Sequence, residues 1–416
     1  MADDDTQRRR TFRRMLILLG CFFVLVQINR SAGGVLATYL GAVRGLSPTD
    51  IGAVMGVMFF SSAVVQLPTG IMFDWLGPRR TLTYLGLVAV AGLIVFATVD
   101  EVWGMMAGRF AMGVGHGGVI TGVYLFAMAW APPKQIAQAT ATVVSIAGGL
   151  GGILATTPLD FALGQYGLSA TFLWLAAATA VVTLVLHVTL QDRPADAPGV
   201  AVVQAETLGQ TISGLLVVMR MPELRRIFAM GLCFSAPFMT LGGLWAGPYF
   251  TTIHNLDGEA ASLFLLSLIV ALHIGTFCYG PLERLAQSRK RLILTGVGIE
   301  ISALSVLVVW PDAPLAIAGA SLFVFALAAP FFLVLAAHAR IFVPARRVGR
   351  AITCITLVGL TGVFVMQLGT GALIDLVANA GGTPATGYRL VFLSVIGILL
   401  VSGLIYWGQP ETPDGM

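Results

Sequence analysis

Apolar runs of about twenty residues recur along almost the whole chain, with short polar stretches between them. Each run is long enough to cross the ~30 Å hydrocarbon core of a bilayer as a helix. The pattern predicts twelve spans, at 15–41, 51–73, 81–99, 104–130, 138–158, 168–190, 224–248, 261–283, 292–310, 314–341, 350–376 and 388–408. We therefore predict an all-α membrane protein with twelve transmembrane helices.

One break in hydrophobicity is longer than any other, and it starts with the letters QDRPADAPGV at residue 191. It separates six predicted spans from the next six. The sequence thus predicts five segments: a cytoplasmic tail over 1–14, a six-helix bundle over 15–190, a cytoplasmic linker over 191–223, a second six-helix bundle over 224–408, and a cytoplasmic tail over 409–416.

Positive charge is concentrated in alternate loops. Lysine and arginine occur before the first span and after the second, fourth, sixth, eighth and tenth, whereas the opposite loops hold almost none, only Arg44 and Arg389. Because cytoplasmic loops carry the excess of positive charge, we expect both termini in the cytoplasm. The net charge of +4 then reflects topology and contact with anionic lipid, and it gives no reason to expect a nucleic-acid partner. The chain's size and short loops favour a bacterial inner membrane.

Composition and motifs argue against an enzyme. Hydrophobic residues make up 57% of the chain and charged residues only 11%. The four cysteines fall within predicted spans, the five histidines lack zinc-like spacing, and the sequence has no nucleotide-binding loop or nucleophile elbow. We therefore expect no cofactor and no metal, and we expect a solute carrier that does not use ATP.

A repeat links the two halves. The segment GIMFDWLGPRRTL starts at Gly70, and GPLERLAQSRKRL starts at Gly280, 210 residues later. Each segment follows the second span of its half. A duplicated set of six spans is typical of transporters in which two bundles rock about a site near the membrane midplane.

The first copy of the repeat resembles the loop signature of the Major Facilitator Superfamily, between its second and third spans. A second element, RFAMGVG from Arg109, is similar to the superfamily's fourth-span pattern. The resemblance implies two pseudo-symmetric bundles around a central cavity, alternating access driven by an ion gradient or by exchange, and usually a monomer. It also implies a latch on the cytoplasmic side, formed by Gly70, Asp74, Gly77, Arg79 and Arg80. The two arginines could instead serve only to set topology, and the second copy is degenerate.

Arg30 lies in the middle of the first span, where a charge costs at least ~2.5–3.5 kcal/mol. The resemblance implies that the first and fourth helices line the cavity, which would bring Arg30, Arg109 and His116 to it. Guanidinium groups bind carboxylates and sulfonates through paired hydrogen bonds, so this cavity favours an anion. The stretch Asn29-Arg30-Ser31 resembles that of organic-anion members, although an aspartate commonly stands where this chain has Asn29. Alternatively, Arg30 is a structural cation.

Further candidates follow from the same resemblance. Proton coupling needs a titratable group near the cavity, and the candidates are His116, His273 and Glu300. Glu300 could instead only bond a neighbouring helix, since the ninth helix is peripheral in the superfamily. The candidates for contact with the substrate are Gln27, Asn29, Arg30, Arg109, Tyr124, Trp245 and Gln367.

We interpret the sequence as a secondary active transporter of a small organic solute. The solute is expected to be an anion, and the coupling ion is expected to be a proton unless transport runs by exchange. One alternative is an exporter of hydrophobic or zwitterionic compounds, in which Arg30 braces the helix. Another is a transporter-like receptor or assembly scaffold without flux.

Overall fold

The computed structural model describes residues 2–132, 135–192, 208–344 and 347–412, and these residues form helices and no strand. Residues 193–207 of the predicted linker and the last four residues of the predicted C-terminal tail lie outside the described residues. The bundle limits predicted from the sequence therefore stay predictions.

The first group of helices runs from the amino terminus to the linker. Its members are α1 (Ala2–Ser31), α2 (Gly33–Arg44), α3 (Pro48–Thr98), α4 (Val102–His116), α5 (Val119–Trp130), α6 (Ile136–Thr142), a π-helical turn (Val143–Ala147), α7 (Gly148–Leu154) and α8 (Thr157–Thr189).

The second group of helices starts at Leu208, within the predicted linker. Its members are α9 (Leu208–Met219), α10 (Pro222–Gly231), α11 (Ala236–Thr240), a π-helical turn (Leu241–Trp245), α12 (Ala246–His254), α13 (Gly258–Leu285), α14 (Arg289–Val309), α15 (Leu315–Ala328), α16 (Phe332–Ala339), α17 (Val348–Asn379) and α18 (Pro384–Trp407), with 3₁₀ turns at Ala329–Phe331 and Arg340–Phe342.

The twelve-span prediction is confirmed. Ten helices in the described ranges are long and apolar enough to cross a bilayer. One of them, α3, has 51 residues and a length of about 76 Å, which is enough for two crossings. Gly77, with φ 75°, breaks it into two spans. A shorter apolar stretch, Gln138–Leu154, supplies the remaining span.

Several spans are interrupted where the sequence predicted continuous helices. The first span breaks at Ala32, between α1 and α2. The fifth continues past its predicted end at 158 into the start of α8, where Gly167, with φ 75°, separates it from the sixth. The seventh is broken between α10 and α11, just before Pro237. Hydropathy measures how apolar a stretch is, so it does not detect such breaks.

The two groups touch along a seam on the side of the membrane opposite the amino terminus. We call this contact the glycine seam; its glycines are Gly33, Gly34, Gly52, Gly247 and Gly371. Small residues allow helix backbones to approach closely in a membrane. A Cβ atom added at any of these glycines except Gly34 would overlap a backbone carbonyl of the other group, and at Gly34 it would press on the Leu265 side chain.

A hydrogen-bonded carboxylate strengthens the same seam. Asp375, near the end of α17, accepts a hydrogen bond of 2.8 Å from the backbone N–H of Thr49 at the start of α3, and another from the Thr49 hydroxyl. A carboxylate is favoured at a helix amino terminus because the N–H groups there are unpaired and the helix dipole is positive. The structure is therefore closed on this side.

Valine at Gly371 should open the seam, because its Cβ would meet the carbonyl carbon of Pro48 at 2.9 Å. Overpacking of this kind costs ~1–3 kcal/mol, so the ratio of closed to open molecules should fall by roughly 5- to 150-fold. The measurement is the distance distribution between spin labels at Val43 and Ala380, which are exposed on opposite groups, in a background without the four native cysteines.

The matched control is Gly369→Val. A Cβ at Gly369 meets nothing within 4 Å, and this glycine lies on the same helix. Longer label distances in Gly371→Val and an unchanged distribution in Gly369→Val are expected. Identical distributions in the two variants would show that close backbone contact does not hold this side shut.

Candidate functional site

A cavity of about 710 Å³ lies between the two groups, on the amino-terminal side of the glycine seam. A volume of this size suits a small organic molecule. The first, second, fourth and fifth spans line it from one group, and the seventh to eleventh spans line it from the other. Much of the wall is aromatic, including Phe23, Phe59, Phe234, Phe238 and Phe332.

Arg30 lines this cavity from the last turn of α1, next to the break at Ala32. Its Nε atom is buried and has no hydrogen-bond partner among the described residues. Within the same ranges, no carboxylate forms an ion pair with it. Gln27 lines the cavity one turn earlier and donates a hydrogen bond of 3.2 Å to Ser31. The guanidinium group is therefore available to a ligand.

Arg109 lies behind the wall and does not line the cavity, although the sequence placed it there. It is 1% exposed and donates a hydrogen bond of 3.2 Å to the carbonyl of Asn29. It also contacts the sulfur of Met55 at 3.3 Å and the ring face of Phe96 at 5.8 Å. In this position Arg109 is bound to the backbone next to Arg30.

His116 lines the cavity from the end of α4 and is 2% exposed. Its Nδ1 atom has no hydrogen-bond partner in the described part of the chain. It is close enough to Arg30 and Arg109 to interact electrostatically with both. The first group of helices thus presents a cationic wall to the cavity.

The second group presents a carboxylate. Glu300, on α14, lines the cavity and is 1% exposed. The family resemblance placed the ninth span at the periphery, but the structure brings this side chain to the cavity wall. His273 lines the cavity from α13, with Nδ1 2.8 Å from the carbonyl of Ile269 and its ring against Gly149 of the other group.

Four other residues predicted to contact the substrate do not line this cavity. Asn29 donates to the carbonyl of Leu25 at 2.8 Å, and Trp245 donates to the hydroxyl of Thr370 at 2.8 Å. Gln367 donates to the carbonyl of Met239 at 2.8 Å, and Tyr124 is 47% exposed. Hydropathy identifies spans, but it does not fix how each helix is rotated about its axis.

The sequence reasoning also missed residues that do line the cavity. Ser235 is one, and its hydroxyl is buried without a partner among the described residues. A signal was present, since Ser235 and Pro237 fall inside an apolar span, a pattern typical of the broken helices at transporter sites. No comparable signal marked Cys233.

The loop signature lies on the face towards which the cavity is displaced. After the turn at Gly77, the backbone N–H of Arg79 donates a hydrogen bond of 2.7 Å to the carboxylate of Asp192, which follows the sixth span. Asp74 and Arg80 are exposed here, and Gly70 has open space around it. The latch that the resemblance implies would close this face, whereas the structure is closed at the glycine seam.

The second half repeats this arrangement with a different residue. Glu411, which follows the twelfth span, accepts hydrogen bonds from the backbone N–H groups of Arg289 at 2.6 Å and Lys290 at 3.3 Å. It also accepts one from the hydroxyl of Ser288 at 2.9 Å. In each half, a carboxylate that follows the sixth span therefore caps the amino terminus of the third span.

Comparison with known proteins supports the same architecture. The chain matches the bacterial Spinster homologue solved in an inward-facing, unoccupied conformation, with a TM-score of 0.72 and 16% identity over 95% of this chain and 96% of that one. It matches the nucleoside transporter NupG with a TM-score of 0.72 and 14% identity over 95% of this chain and 98% of that one. At such identities the likeness shows the fold alone.

Curated relatives match over shorter stretches. The inner membrane transport protein YajR of Escherichia coli K12 is 38% identical over 24% of this chain and 20% of its own length. A putative inorganic phosphate cotransporter of Drosophila ananassae is 30% identical over 28% and 24%. The probable sulfoacetate transporter SauU of Cupriavidus necator is 24% identical over 45% and 44%. This chain thus covers less than half of each relative's length.

A family model provides the decisive match. The model described as Major Facilitator Superfamily matches residues 18–359, which is most of the chain. Together with the twelve spans and the central cavity, this match shows a multi-pass membrane protein of a transporter family, which is not a family of enzymes. The chain belongs to the Major Facilitator Superfamily.

Proposed function

We propose that this protein moves a small organic anion across the membrane by alternating access, coupled to protons. It would act as a monomer, in a bacterial inner membrane with both termini in the cytoplasm. The observation that carries the proposal is Arg30, a guanidinium group in the cavity wall with no carboxylate partner in the described ranges.

The electrostatics of the cavity support an anionic substrate. Arg30 and His116 line one wall, and Arg109 lies directly behind them. Fixed positive charge in a low-dielectric cavity raises the local concentration of anions and discriminates against cations. Two relatives that match this chain in part carry names that refer to anions, namely phosphate and sulfoacetate. Both points favour a phosphate, carboxylate or sulfonate group on the substrate.

The closed and open sides of the protein support alternating access. The glycine seam closes one side, and the cavity lies on the other. A second state would separate the seam and close the amino-terminal face. We propose that Asp74, Arg79 and Arg80 close that face, because they lie on it and are not part of the seam.

We propose His116 as the group that links proton and anion binding. A proton on its imidazole would add positive charge beside two arginines, and a bound anion would offset that charge. Proton and anion binding then favour each other, and this is the thermodynamic requirement for their joint transport. His273 lines the same cavity, and it would carry the proton if His116 does not.

Arg30→Gln should weaken anion binding while leaving the fold intact. Loss of a charge-assisted pair costs ~1.5–3 kcal/mol, so affinity for the bound anion should fall by roughly ten- to a hundredfold. The measurement is thermal stabilisation of purified protein by a panel of carboxylates, sulfonates and phosphate esters, since a ligand stabilises the state that binds it. Uptake into proteoliposomes follows with the strongest binder.

The control is Arg220→Gln, which removes the same charge from an exposed position away from the cavity. Stabilisation that survives in Arg30→Gln, or that arises only from neutral or cationic compounds, would contradict the anion proposal. That outcome would favour the exporter of hydrophobic compounds that the aromatic cavity wall also suits.

His116→Gln should uncouple uptake from the proton gradient. In wild-type proteoliposomes, an imposed proton gradient should accelerate anion uptake several-fold, and in the variant the rate should be the same with and without it. His187→Gln is the control, because His187 pairs with Thr83 at 3.2 Å outside the cavity. A gradient effect that persists in His116→Gln would exclude His116 as the proton carrier.

A further inference from the structure

We infer that the substrate is bipolar: its anionic group binds at Arg30 and a cationic amino group binds at Glu300, on the opposite wall of the same cavity. The inference rests on the proposed function and narrows the substrate class from organic anions to zwitterions. It also gives Glu300 a role as a substrate contact, where the sequence suggested proton coupling or a bond to a neighbouring helix.

Burial is the first argument. Glu300 is 1% exposed, and its Oε2 atom has no hydrogen-bond partner among the described residues. An ionised carboxylate in such a site is very unfavourable unless it is paired and hydrogen-bonded. Ionisable side chains inside membrane spans accordingly mark substrate or ion pathways. The ionised carboxylate of Glu300 therefore needs a partner from the cavity.

Its protein neighbours do not provide that partner. Two ionisable groups, Tyr279 and Cys233, are close enough to interact electrostatically with it. The Tyr279 hydroxyl donates a hydrogen bond of 2.8 Å to the carbonyl of Ala328, and the Cys233 thiol donates one of 3.7 Å to the carbonyl of Ile398. In the described part of the chain, no lysine or arginine pairs with Glu300.

The second group of helices offers another hydrogen-bond acceptor to the cavity. Ser235 lines the same cavity from the seventh span, and its buried hydroxyl oxygen also lacks a partner in the described residues. A hydroxyl oxygen and a carboxylate oxygen both accept hydrogen bonds, whereas a protonated amine has only donors. An anion has the opposite requirement, and the first group of helices meets it through Arg30.

The two poles belong to different halves of the protein, and aromatic side chains such as Phe59 and Phe238 line the cavity as well. A ligand with an anion at one end, an amine at the other and an apolar spacer would satisfy both walls and the lining together. A simple anion would leave Glu300 unpaired. The geometry thus discriminates between two classes of anion.

The test compares matched ligands on the purified full-length chain. The probes are ω-aminoalkanesulfonates of increasing length and the alkanesulfonates of the same lengths, which share the anionic group and differ in the amine. Affinity is measured by thermal stabilisation for wild type, Glu300→Gln, Glu300→Asp and Arg30→Gln. Because a charge-assisted hydrogen bond would hold the amine, we expect the wild type to bind one aminoalkanesulfonate roughly tenfold or more tightly than the alkanesulfonate of the same length.

In Glu300→Gln this preference should disappear while the plain sulfonate still binds, and Glu300→Asp, which keeps the charge, should retain part of it. Arg30→Gln should weaken both members of the pair. Equal affinity for the two members in wild type, or a preference that survives in Glu300→Gln, would overturn the bipolar site; the second result is the one expected if Glu300 only carries a proton.

Failure of the proposed function gives a different result. If neither series binds the wild type, or if alkylamines without an anionic group bind and Arg30→Gln has no effect, both the anion proposal and the bipolar site fall. If plain sulfonates bind through Arg30 with no preference for the amine, the proposed function stands and the bipolar site alone is overturned.

Discussion

Uncompensated charge inside the membrane is the constraint on which the rest of this structure depends. Arg109 is completely enclosed, and it meets the constraint with a backbone carbonyl, a sulfur atom and an aromatic face. Arg30 and Glu300 are left without partners in the described ranges, and both line the cavity. Since desolvating a charge is expensive, two such groups persist only where water or a ligand can reach them. The cavity and the ionisable groups of its two walls are therefore one feature.

The sequence predicts the number of spans well and the cavity wall only in part. Hydropathy finds twelve crossings because an apolar run long enough to span a bilayer has few other uses. It does not reveal which face of a helix turns inwards, so Trp245 and Gln367 each donate a hydrogen bond within the second group of helices instead. Charge is the stronger guide, since Arg30, His116 and Glu300 all reach the cavity.

The breaks inside the spans explain much of what hydropathy missed. The first span breaks at Ala32, two residues from Arg30, and the seventh breaks beside Ser235. Each break frees backbone groups and displaces the following helix from the line of the preceding one, so a simple helical wheel assigns the wrong residues to the interior. Glu300 was predicted to couple protons or to bond a neighbouring helix, and not to contact the substrate, because its helix was expected at the periphery and hydropathy contains no information about neighbours.

The two carboxylate caps have a consequence for how the protein can move. Asp192 connects the end of the sixth span to the start of the third span through a hydrogen bond, and Glu411 connects the end of the twelfth span to the start of the ninth in the same way. In each half, the last span is thus fixed to the third span. When the seam opens, a force on one helix would be transmitted through these contacts to the rest of its half and would not simply bend that helix. Glu411, in the short polar stretch after the twelfth span, makes one of these two contacts.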